Sequence, residues 1–111
     1  MRRTDLQQSV LADVPNIESA RMVRIELDRG QSVGVHRHPC DVAGYVLDGT
    51  IRYQRHGTEA LILHPGDAFF EPRDETIAHF DNASAHEPAT FLACYLLAPG
   101  VDEVIEMIDE T

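Results

Sequence analysis

The chain has 111 residues, 43% hydrophobic and 25% charged, with a formal net charge of −10. That length holds one domain with a core of its own, and the acidic balance argues against a nucleic-acid or anionic-membrane partner. All nine cationic side chains are arginines, which excludes Schiff-base chemistry and lysine general bases.

Residues 1–20 are polar with scattered apolar positions and a Pro15-Asn16 turn signal, and they predict an N-terminal arm or edge strand. The positive charge of Arg2 and Arg3 is followed by no apolar stretch. A signal peptide is therefore not expected, and no run approaches the roughly 18 apolar residues of a membrane span. The expectation is a cytoplasmic protein with Cys40 and Cys94 as reduced thiols. Cys94, within an apolar run, reads as core; Cys40, between histidines and a turn, reads as a plain thiol or a functional one.

From Met22 the pattern alternates, with Val23, Ile25 and Leu27 on one face and Arg24 and Glu26 on the other. This predicts a half-buried strand ending at Asp28-Arg29-Gly30. Ser32 to His38 predicts a second strand, broken at Pro39. Gly44 to Leu47 runs into Asp48-Gly49, a hairpin signal, and Thr50 to Arg55 returns. Further strands are predicted at 60–63, 68–70, 76–81 and 90–97, with turns about every ten residues, the spacing of an antiparallel sandwich or barrel. After Pro99-Gly100, Val101, Val104, Ile105 and Ile108 recur at helical spacing, with Asp102 and Glu103 in the first turn. A short C-terminal helix is predicted there.

Chemistry concentrates at His36 and His38. Two histidines at i and i+2 on a strand project from one face and can converge on one ion, and neutral imidazole suits Zn, Fe, Ni, Mn or Cu. Taken alone, the pair also reads as two histidines on a solvated edge. His56, His64 and His86 read as loop residues. Glu71 and Glu75 read as solvated carboxylates, with a place at a barrel mouth as the alternative. Tyr45 and Tyr53 read as packing rings.

The segment from Gly30 to Gly49 resembles the first motif of the cupin family: Gly, five residues, His-x-His, three or four residues, Glu, six residues, Gly. Gly30, His36, His38 and Gly49 fall at that spacing. Gly66-Asp67-Ala68-Phe69-Phe70-Glu71-Pro72 resembles the opening of the second motif, and Asn82 its close. The resemblance covers roughly residues 20–98. It implies an all-β, double-stranded β-helix (jelly-roll) barrel over 21–98, between the arm (1–20) and the helical tail (99–111).

Two positions depart from that pattern. The family's glutamate ligand falls at Val42, and the nearest acid, Asp41, points to the other face by alternation unless a bulge at Pro39-Cys40 brings it round. An ungapped count places the later histidine at Ile77, with His79 two residues on and so on the same face. His79 is the expected third ligand; a rival register anchored at Asn82 turns it outward. The resemblance then implies one divalent metal ion on His36, His38 and His79, acting on a small organic substrate by oxygenase, isomerase or decarboxylase chemistry. The alternative is a metal-free module for small-molecule binding or dimerisation. A metal-independent epimerase using a His–Asp pair is a third option. A homodimer is expected, because the arm and the apolar tail stripe need covering.

Overall fold

The structure is a computed structural model that describes residues 1–10 and 16–108. Among the described residues nine strands follow in chain order: β1 (Ser19–Leu27), β2 (His36–Arg37), β3 (Asp41–Asp48), β4 (Ile51–Arg55), β5 (Leu61–Leu63), β6 (Ala68–Glu71), β7 (Ile77–Asn82), β8 (Ala89–Leu97) and β9 (Glu106–Met107). They form two antiparallel sheets, ordered β1-β8-β3-β6 and β5-β4-β7-β2-β9. Strands β1 to β8 thus interleave between two facing sheets, as in a jelly roll.

Along β1 the alternation read from the sequence is the one that packs, with Val23, Ile25 and Leu27 more buried than Arg24 and Glu26. Along β8, Ala89, Phe91, Ala93, Tyr95 and Leu97 are buried while the residues between them are partly exposed. Val42 and Val46 of β3 and Ile51 and Tyr53 of β4 join them in one core between the sheets. Phe69, Phe80 and Phe91 meet at its centre, with ring centroids 4.7–6.0 Å apart. Gly44 is required beside them. It pairs across the sheet with Phe69, and a Cβ there would lie 1.9 Å from the ring.

Three expectations are corrected. The Asp48-Gly49 turn does not close a hairpin, because β3 and β4 lie in different sheets. Both strands carry a buried face, so the turn passes the chain from one sheet to the other, with Gly49 at φ +79° against Ala89. Cys94 is half-buried on the outer face, since Ala93 and Tyr95 take the inward positions.

The predicted C-terminal helix is the third correction: among the described residues there is no helix, and Glu106–Met107 pairs with β2 as an edge strand. All four stripe residues are Val or Ile, β-branched side chains that suit an extended segment beside an open sheet edge, so tertiary pairing overrides the helical spacing. The Arg37–Glu106 ion pair and an Ile108 N–H bond to the Val35 carbonyl hold the segment in place. Ile108 is the last described residue of the tail, whose end (109–111) lies outside them. Among the described residues no helix is long and apolar enough to cross a membrane.

Candidate metal centre

His36 and His38 flank Arg37, and strand alternation sends both imidazoles inward while Arg37 faces out to Glu106. Both histidines are buried, and their rings stand nearly perpendicular with centroids 4.9 Å apart. Each ring is oriented by its Nδ1, which lies 2.8 Å from the Gly34 carbonyl in His36 and 2.5 Å from the Val104 carbonyl in His38. A carbonyl only accepts, so each Nδ1 carries a proton, and in the neutral ring Nε2 is the atom with the free lone pair.

Both Nε2 atoms face Glu71, on the opposite sheet at the end of β6. Glu71 Oε2 lies 2.5 Å from His38 Nε2 and 3.9 Å from His36 Nε2. The three residues offer ligand atoms all within 4.8 Å of one another, and all three are buried. With both rings neutral, Oε2 meets lone pairs rather than donors, and among the described residues this buried oxygen has no hydrogen-bond partner. A proton or a cation between the groups resolves that contact. Burial alone would push the Glu71 carboxyl up, but the two histidines outweigh it and hold its pKa below the ordinary carboxylate value. Burial likewise works against a charged His38, but Glu71 and the Val104 carbonyl raise its pKa overall.

Glu71, expected in solvent, is 2% exposed and completes the trio. Its signal was available in the sequence: with Phe69 buried and inward, Glu71 at i+2 must share that face. His79, the expected third ligand, does not join the trio. Gln54 pairs with His79 while Arg55 pairs with Ile77, so Ala78 is an extra residue, a β-bulge that breaks the alternation. Ile77 and Phe80 face inward, and the His79 side chain is 38% exposed, with Nδ1 3.1 Å from Asp81.

Asp41 is buried but accepts the Arg73 backbone N–H, and Glu75 pairs with Arg55. Cys40 is buried, and burial first, then Asp41 and Asp74, push its thiol up to about 11. That thiol stays protonated near neutrality and is not an activated nucleophile. Beside the trio lies a cavity of about 200 Å³, walled chiefly by Val, Ile and Phe side chains with Tyr95, and Ile105 of the tail reaches it.

A profile of the cupin domain family matches residues 23–95. Among solved structures, the chain is similar to a conserved double-stranded β-helix protein from Klebsiella pneumoniae subsp. pneumoniae MGH 78578 (19% identity, TM-score 0.64, 78% of this chain and 75% of that one). It is similar to a DMSP lyase from Ruegeria pomeroyi DSS-3 (19%, TM-score 0.68, 80% and 43%). It is also similar to an oxalate oxidase in complex with the substrate analogue glycolate (19%, TM-score 0.67, 80% and 46%). At these identities the likeness concerns the fold, and the chain spans less than half of the lyase and oxidase chains. No curated protein matches the sequence.

Proposed function

Because the chain belongs to the cupin domain family, we propose that it is a metal-binding cupin in which His36, His38 and Glu71 hold one divalent ion beside a small-molecule cavity. The observation that carries this reading is the buried Glu71 Oε2, without a hydrogen-bond partner among the described residues and facing the Nε2 atoms of both histidines. A divalent cation satisfies all three groups, and imidazole with carboxylate suits Zn, Fe, Ni, Mn or Cu. Three protein ligands leave positions open, the pattern of a catalytic rather than a structural site. An ion there supplies Lewis-acid or redox chemistry, compatible with oxygenase, isomerase or decarboxylase reactions. The chain itself contributes orientation, through the Gly34 and Val104 carbonyls that fix the rings, and a largely apolar chamber that excludes water.

A second reading rests on the 2.5 Å His38–Glu71 contact: a metal-free binding module in which the pair shares a proton. Metal analysis of the purified protein separates the two. Near-stoichiometric metal, lost in His36→Ala, supports the first; metal-free protein that keeps its fold supports the second. The homodimer expected from the sequence now draws on the outer sheet face, where Met22 is exposed beside Leu92 and Cys94. A single sedimenting species near 12.4 kDa would reject it.

A further inference from the structure

The cavity beside the trio has a chemical bias of its own. Phe69, Phe80 and Phe91 form one wall, Ile25, Val33 and Val42 extend it, and among the described residues no arginine lines it. Any negative charge on a ligand therefore has no counter-charge away from the three ligand residues. A second charged group within the apolar part would be desolvated without a partner, at large cost. At about 200 Å³ the space falls below the roughly 300 Å³ at which pockets for drug-sized ligands begin. Both features favour a small molecule with one polar head and an apolar body.

One polar group in that wall is unaccounted for. Tyr95, Val42 and Glu71 occupy one row across β8, β3 and β6, with Val42 in register with both of the others. Tyr95 and Glu71 therefore face inward on either side of a short side chain. The Tyr95 ring lies 5.7 Å from the His38 ring and is 5% exposed. Among the described residues no group hydrogen-bonds its hydroxyl, whereas the buried Tyr53 hydroxyl donates to the Phe70 carbonyl. A phenol is protonated across the neutral range, so Tyr95 is a donor there.

We propose that this cavity takes a small neutral or singly charged molecule with an apolar body and one oxygen-bearing head, and that Tyr95 donates a hydrogen bond to that head. The proposal rests on the metal reading above, because the head is placed beside the ion held by His36, His38 and Glu71. Tyr95 is thereby a positioning residue for the ligand and not a metal ligand.

The test uses a matched pair of probes, hexanoate and adipate, which differ only in a terminal methyl or carboxylate. Binding of each to zinc-loaded wild type and Tyr95→Phe is measured by calorimetry, with metal content determined on the same samples. Hexanoate should bind wild type at least ten-fold more tightly than adipate. Tyr95→Phe should lose about ten-fold in hexanoate affinity, the scale of one hydrogen bond to a charged group, with metal content unchanged. Protein that takes up no zinc overturns the metal reading on which the proposal rests. Zinc-loaded protein that binds adipate as tightly, binds no hexanoate, or ignores Tyr95→Phe overturns the cavity assignment while leaving the metal reading in place. Tyr95→Phe removes only a hydroxyl without a partner among the described residues, so its fold is expected to survive.

Discussion

Glu71 sits directly across the β3–β6 ladder from Val42, so the carboxylate missing where the cupin pattern places it enters the same face of the sheet from the next strand. Cross-strand partners have Cβ atoms about 4.5–5.5 Å apart, close enough for one carboxylate to stand in for the other. Glu71→Val should therefore abolish metal binding, and adding Val42→Glu to that variant should restore a substantial part of it. Wild-type metal content in Glu71→Val, measured by elemental analysis, would contradict the assignment.

The C-terminal segment, whose spacing predicts a helix, instead lies extended against the candidate site. The Val104 carbonyl orients His38 and Ile105 reaches the cavity wall. A chain ending at Glu103 should lose about 10–100-fold in zinc affinity, the range for groups that orient a ligand from behind. Competition with a chromogenic chelator measures this; unchanged affinity would mean the ring is held without Val104.

How far the sequence reveals the site follows from where strand periodicity holds. It holds from Met22 to Leu27, where Val23, Ile25 and Leu27 face inward as expected; it holds from Ala89 to Leu97 too, but there both faces are apolar, so the sequence does not show that Cys94 points outward. It fails at Ala78, where one extra residue reverses every later side chain, so an i+2 argument from Ile77 to His79 gives the wrong face. It is overridden at Val104 to Ile108, where a spacing compatible with a helix meets an open sheet edge. Glu71 was within reach of the same argument, but a charged residue before Pro72 reads as solvated until the two histidines that face it are placed.

The metal-free protein should show a distinctive pH dependence. His38 has a raised folded pKa, so its pairing stabilises the fold below the ordinary value of 6.5 and that contribution is lost as pH rises through the raised value. Glu71 has a depressed folded pKa, so its contribution is present above 4.5 and is lost as pH falls through the lowered value. The pair therefore stabilises metal-free protein most between about pH 4.5 and 6.5. Metal binding runs the other way, because the ion displaces the His38 proton and weakens as pH falls. Thermal melts should show the zinc-induced gain in Tm growing from pH 6 to pH 8, and a gain independent of pH would contradict the assignment of His38 as a ligand.

Gly44 is a steric requirement of the cavity wall. An alanine Cβ would overlap the Phe69 ring, so Gly44→Ala must shift that ring within the aromatic cluster. Overpacking of this kind costs about 1–3 kcal/mol. Denaturant unfolding should show that loss, and full stability in the variant would mean the ring has a second position.

The most direct test of the account is a crystal structure of zinc-loaded protein with an anomalous difference map. One strong peak is expected, with His36 Nε2, His38 Nε2 and a Glu71 carboxylate oxygen each about 2.0–2.2 Å away, reached by small side-chain rotations that widen the 2.5 Å His38–Glu71 contact. A peak at His79 or Asp41, or protein at full zinc concentration with no peak among these three residues, would contradict it.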